Sequence, residues 1–136
     1  MKDPILFLTS FSFIAPVTYA AYHDMWDIYS SLLCMLLTSV AFHSSKEPIL
    51  KRIDQAAIVQ LALLSLKTGY ELQLLFLAIL NISWIYYVYI HGYKTNSLAF
   101  HPDYRVASLF HSSFHISVSV SWMYGIYVKQ LQNESK

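Results

Sequence analysis

The sequence predicts an all-α fold, a polytopic membrane helical bundle with about five transmembrane helices. Of its 136 residues, 56% are hydrophobic and only 12% are charged, whereas about a quarter of the residues in a soluble domain are charged. Only three glycines and four prolines interrupt the chain, so long apolar runs remain. The net charge of +1 is too small to indicate a nucleic-acid partner.

Five apolar segments approach the roughly 20 residues of helix that cross a bilayer. We place them, within one integral-membrane domain covering residues 1–136, at about 5–22, 28–43, 53–67, 72–90 and 106–128. The first has some features of a signal peptide, but it is as long as a true span. We therefore interpret it as a retained helix, kinked at Pro16.

The links between the spans justify the later boundaries. Residues 23–27 are polar and turn the chain back after the first span, and the second span then runs to His43. Residues 44–52, broken by Pro48, are predicted to be a loop. The third span is short and is bounded by Asp54 and Lys67, whereas the fourth ends in an aromatic run before the polar link 91–105. The tail after Val128 is expected to be polar and mobile.

The charges of these links indicate a sidedness. With five spans, the N-terminus and the links after spans two and four lie on one side of the membrane. That side carries six basic residues against three on the other, which favours it as the cytoplasmic side. The six are Lys2, Lys46, Lys51, Arg52, Lys94 and Arg105, and the three are Lys67, Lys129 and Lys136.

The same topology brings distant polar residues to one membrane depth. His111 and His115 are four residues apart at the start of span five, so they share one helix face and can bind a single ion. His43, at the end of span two, supplies a third candidate ligand, and Ser39 lies on the same face as His43. Asp54 opens span three at the same level.

Three imidazoles with one open position are typical of a catalytic zinc site, where the pKa of a bound water falls to about 7. Asp54 could orient that water or take its proton, and the Ser39 hydroxyl could stabilise an oxyanion or the attacking water. Any one of these histidines alone would more often be an ordinary interfacial residue, but together they favour a metal site.

Two further predictions concern the remaining polar residues. His23, His91 and His101 are expected to be surface residues, and Ser113, Ser117 and Ser121 to form a close-packing helix face.

The pattern S-x3-H-x10-D formed by Ser39, His43 and Asp54, followed by H-x3-H at His111 and His115, resembles the CREST superfamily of membrane hydrolases. This superfamily includes the alkaline ceramidases and the adiponectin and progestin receptor-like proteins. The resemblance implies that the three histidines bind zinc and that Ser39 and Asp54 lie beside the metal-bound water. It also implies hydrolysis of a lipid amide such as ceramide. Members typically have seven helices, so this chain would be a shortened, five-helix member.

The leading hypothesis is therefore a zinc-dependent integral-membrane hydrolase that acts on a membrane lipid amide. The metal site would lie near the cytoplasmic face, and a homodimer or a larger membrane complex could complete the cavity walls. One alternative is a non-catalytic, receptor-like or structural subunit that keeps the metal as a clamp between spans two and five. A third hypothesis is a haem-binding electron carrier with His43 and one span-five histidine as axial ligands.

Overall fold

The computed structural model describes residues 3–45 and 47–135, and these residues are almost entirely helical, with no strand among them. The prediction of an all-α fold is confirmed. The five helices are α1 (Pro4–Tyr22), α2 (Trp26–Ser44), α3 (Pro48–Glu71), α4 (Leu75–Thr95) and α5 (Tyr104–Glu134). Lys2, Lys46 and Lys136, which entered the predicted charge asymmetry, lie outside the described residues.

Helix α1 contains one irregular turn. A 3₁₀ segment, Phe11–Phe13, separates the α-helical parts Pro4–Ser10 and Ile14–Tyr22. Pro16 lies three residues after Phe13, and proline lacks the amide hydrogen and presses on the carbonyl four residues earlier, here that of Ser12. The irregularity therefore lies on the N-terminal side of the proline, in the turn where the prediction placed a kink.

Several predicted helix ends differ from those in the structure. Helix α3 begins at Pro48, so residues 48–52, predicted to be loop, are helical. Proline suits the first helical turn because its missing N–H would have no partner there. Helix α5 continues to Glu134, so most of the predicted mobile tail is also helical. In both cases polar residues extend the helix beyond its apolar part, which hydropathy alone cannot detect.

Helix α4 begins at Leu75 rather than at residue 72, and it extends past residue 90 to Thr95. It contains a π-helical turn, Tyr87–His91, and ends where Asn96 adopts a left-handed conformation with φ of 50°. A short 3₁₀ turn, Leu98–Phe100, then leads toward α5. A π turn inserts one extra residue into the helix and rotates the side chains that follow it.

Two of the five helices, α1 and α4, are long and apolar enough to cross a membrane. The other three are also long, with 19, 24 and 31 residues, but they are more polar. Helix α3 carries Lys51, Arg52 and Asp54 in its first two turns, and α5 is rich in serine. Of the five predicted transmembrane helices, two therefore have the length and composition of a membrane span in the part of the chain that the structure describes.

The helices pack in chain order around a closed ring, in which α5 returns to contact α1. Buried apolar side chains such as Phe13, Leu32 and Trp122 fill the core between α1, α2 and α5. A cavity of about 120 Å³ remains inside the ring, and all five helices contribute to its lining. Because neighbouring helices alternate in direction, the end of α2 and the beginnings of α3 and α5 lie at the same end of the bundle.

Candidate metal centre

Three imidazole rings meet at this end of the bundle. His43 lies in the last turn of α2, and His111 and His115 lie one turn apart in α5. The ring centroids are 5.2 Å apart for His43 and His111, 5.6 Å for His43 and His115, and 5.4 Å for His111 and His115. One nitrogen from each ring lies within 4.8 Å of the other two. The predicted ligand residues therefore form a group that could hold a metal ion.

This donor set fits a transition metal. Zinc binds imidazole nitrogen at about 2.0–2.1 Å, which places the nitrogens of a tetrahedral site about 3.4 Å apart. The three donor atoms lie within 4.8 Å of one another, so a bound ion would draw them closer by up to about 1.4 Å. Imidazole also suits copper, iron and nickel, so the residues define a metal site without fixing the identity of the metal.

Two hydroxyl groups that the sequence did not indicate contact the imidazoles. The Thr9 Oγ1 atom, from α1, lies 3.0 Å from His115 Nδ1. The Tyr89 hydroxyl, from the π turn of α4, lies 3.3 Å from His111 Nδ1 and 3.4 Å from His111 Nε2. The one sequence signal for Thr9 is a polar side chain within an apolar segment. For Tyr89 there is none, because its position depends on the π turn.

The structure also pairs the two predicted catalytic residues. The Ser39 hydroxyl donates a hydrogen bond of 2.8 Å to Asp54 Oδ1, and the Thr38 hydroxyl donates one of 3.2 Å to the same oxygen. Ser39 and Asp54 are both buried. Asp54 lines the central cavity together with His111 and His115. Two donors on one oxygen hold the carboxylate in a fixed orientation, and the second oxygen is left to accept a proton.

Asp3 connects the three helix ends around the imidazoles. Its backbone N–H donates to the carbonyl oxygen of His43 at 3.2 Å. Its carboxylate accepts hydrogen bonds from the Tyr104 hydroxyl at 2.6 Å and from the backbone N–H of Leu6 at 3.0 Å. The start of α1 is thereby tied to the end of α2 and to the start of α5, which are the two helices that carry the histidines.

The other histidines do not join this group. His23 packs against Tyr19 and Tyr22, His91 stacks on Tyr87, and His101 Nδ1 accepts a hydrogen bond from the backbone N–H of Asp103. Of these three predicted surface residues, His91 is exposed, whereas His23 and His101 are half-buried.

The predicted serine face of α5 contacts α4. Ser113 accepts a hydrogen bond from the Trp84 indole N–H at 3.2 Å, and Ser121 accepts one from the Asn81 side-chain amide at 2.8 Å. Ser117 donates to a carbonyl of its own helix. A second series, Ser108, Ser112 and Ser119, faces α1 and was not predicted.

Comparisons with models of protein families, with curated proteins and with solved structures find no match to this chain.

Proposed function

We propose that this protein is a zinc-dependent integral-membrane hydrolase that cleaves the amide bond of a lipid, as a shortened relative of the CREST superfamily. The observation that supports this most is the convergence of His43, His111 and His115, two of which, His111 and His115, line a cavity that Asp54 also lines. These residues lie on three helices, α2, α3 and α5. In the sequence, α5 is separated from the other two by α4. A chance cluster of one acid and three imidazoles at one buried level would be costly to keep without a function.

The three histidines and Asp54 can take separate roles in amide hydrolysis. A zinc ion held by the three imidazoles would supply a Lewis acid that polarises the amide carbonyl and acidifies water. Asp54 takes the proton of the attacking water as the new C–O bond forms, and it returns that proton to the nitrogen as the C–N bond breaks. Ser39 and Thr38 hold one carboxylate oxygen, so that the other can carry the proton.

The cavity supports a lipid substrate. Away from Asp54 and the histidines its walls are mainly apolar, with Leu61, Leu77 and Val118 among the lining residues. Such apolar walls suit an acyl chain, with the amide group at the polar end. We further propose that all five helices cross the membrane and that the polar end faces the cytoplasm, where Lys51 and Arg52 would lie.

The test combines metal analysis with turnover in detergent micelles. We expect the purified protein to hold one zinc per chain and to hydrolyse an N-acyl lipid such as ceramide. Asp54→Asn keeps Oδ1 as the acceptor for the Ser39 and Thr38 hydroxyls but replaces the other oxygen with an NH₂ group and so removes the base. We therefore expect zinc to be retained and turnover to fall about 10²–10⁴-fold.

Asp27→Asn is the matched control, because Asp27 lies at the opposite end of α2 and pairs with Lys129 at 3.8 Å. It should leave both zinc content and turnover unchanged. A folded wild-type protein that binds no zinc would contradict the proposal, and so would equal turnover by the wild type and Asp54→Asn.

A structural clamp is the second candidate function. The ligands come from α2 and from α5, which occupy separate positions in the ring, so a bound metal would tie the two helices together. This function predicts that removal of zinc by a chelator lowers the melting temperature, and that no lipid amide is turned over. Haem is less well suited, because the three rings contact one another directly, whereas a porphyrin must lie between its axial ligands.

A further inference from the structure

Helix α1 contacts His115 at its side chain and at its backbone. The Thr9 hydroxyl oxygen lies 3.0 Å from the ring nitrogen Nδ1. The Ser12 hydroxyl donates to the His115 carbonyl at 3.1 Å, and the ring of Phe13 packs edge-on against the imidazole with centroids 5.8 Å apart. The orientation of the His115 ring is therefore set from α1, although α1 carries none of the candidate metal ligands.

The direction of the hydrogen bond between Thr9 and His115 depends on where the single Thr9 hydroxyl proton goes. Two other oxygens lie within its reach, the Leu6 carbonyl at 3.2 Å and the Ser112 hydroxyl at 3.3 Å. A carbonyl oxygen can only accept, and the Leu6 carbonyl also accepts from the Ser10 hydroxyl at 2.8 Å. When the Thr9 proton points to Leu6, Thr9 Oγ1 is an acceptor toward the N–H of His115 Nδ1.

We propose that Thr9 is a positioning residue that holds His115 in the tautomer protonated at Nδ1, which leaves Nε2 as the nitrogen that donates to the metal. The inference rests on the metal site of the proposed function but not on hydrolysis. Imidazoles that bind metals generally donate their second N–H to a neighbouring oxygen, and loss of that oxygen typically weakens metal binding 10–100-fold. The chain of Leu6 carbonyl, Thr9 hydroxyl and His115 ring has this form.

The test compares substitutions at two threonines of the same helix. Thr9→Val replaces the hydroxyl with a methyl group of similar size, and Thr9→Ser keeps the hydroxyl. Thr18→Val is the matched control, because Thr18 is exposed and its hydroxyl donates only to the carbonyls of Ile14 and Ala15 in its own helix. Zinc affinity is measured by competition with a chromophoric chelator. We expect a loss of about 10–100-fold for Thr9→Val, and values close to wild type for the other two variants.

A second measurement reports the tautomer directly. ¹⁵N-edited NMR of histidine-labelled, zinc-free protein distinguishes a proton on Nδ1 from one on Nε2, and the His115 signals are assigned by their loss in His115→Ala. We expect the Nδ1–H form in the wild type and in Thr9→Ser, and a mixture in Thr9→Val. A merely structural contact would change the melting temperature without changing this ratio.

The outcomes separate this inference from the proposed function. Unchanged zinc affinity in Thr9→Val, or an Nε2–H tautomer in the wild type, would overturn the inference while the metal site stands. A wild type that binds no zinc would overturn the proposed function. If Thr9→Val does not fold, the tautomer of wild-type His115 still decides the matter.

Discussion

At the scale of single residues, the histidine group is unusual in where it lies. His43 and His115 are 2% and 3% exposed, at positions where a helical bundle ordinarily places leucine or phenylalanine. Placing a polar ring in such a position costs about 1–3 kcal/mol unless its nitrogens are bonded. A metal ion offers one bond to each of the three rings at once, which makes the group understandable as a unit rather than as three separate core residues.

If the three histidines hold zinc, as we propose, replacing any one of them with alanine should abolish tight zinc binding. Two remaining imidazoles leave the ion with too few protein ligands for a stable tetrahedral site. Zinc content is measured by elemental analysis after dialysis against a weak chelator. His91→Ala is the control, since that ring is exposed and stacks on Tyr87 at 4.9 Å. If His43→Ala or His111→Ala retained the wild-type zinc content, that residue would not be a ligand.

At the scale of elements, α4 depends on one glycine just after its π turn. A Cβ atom at Gly92 would lie 2.6 Å from the backbone carbonyl oxygen of Ser97, because the chain folds back there toward α5. The π turn Tyr87–His91 places the Tyr89 hydroxyl against the His111 ring. The conformation of this segment thus connects the end of α4 to the metal site.

Alanine substitutions at two glycines should consequently have opposite effects on stability. Gly92→Ala forces a backbone shift, for which overpacking costs of about 1–3 kcal/mol are typical, so the melting temperature should fall. Gly125→Ala meets no atom within 4 Å of the new Cβ. It should stabilise α5 by up to about 1 kcal/mol through helix propensity. Thermal unfolding in one detergent compares the two, and a higher melting temperature for Gly92→Ala would contradict the close approach.

At the scale of the whole molecule, the cavity runs along α5 from His111 to Gly125. This is a distance of about 21 Å at the rise of an α-helix. Gly125 is buried and lines the cavity, and space lies open beside its Cα. A larger side chain there would fill the end of the cavity that is farthest from the histidines.

If the protein has the proposed hydrolase function, Gly125→Leu should shorten the acyl chain that it accepts. We expect turnover of long-chain N-acyl lipids to fall at least about tenfold, as expected for a few lost methylene contacts of about 0.8 kcal/mol each, while short-chain analogues are hydrolysed at the wild-type rate. A series of acyl chain lengths measures this, with Gly125→Ala as the control. Equal losses at every chain length would show that the variant disturbs the site rather than the cavity.

The sequence predicted the helical class and the convergence of the histidines for the same reason. Apolar runs in the sequence predict the helices. Because the chain reverses direction at each polar link, the order of the helices predicts which helix ends lie at the same end of the bundle. The four-residue spacing of His111 and His115 predicts that both lie on one face of the last helix. The ends of α3 and α5 were misplaced because Pro48 can begin a helix and because polar residues can continue one. Thr9 and Tyr89 were missed because their contacts depend on helix rotation, and a π turn alters that rotation without a hydropathy signal.

The contact between α1 and α5 determines when the site can form during biosynthesis. Of the five helices, α1 leaves the ribosome first and α5 last. Thr9 and Ser12 of α1 therefore cannot contact His115 until α2, α3 and α4 have been synthesised. Contacts between such distant segments form slowly because the intervening chain must first be ordered. A nascent chain that ends before α5 offers His43 alone to a metal. The candidate metal centre is therefore complete only after the last helix docks.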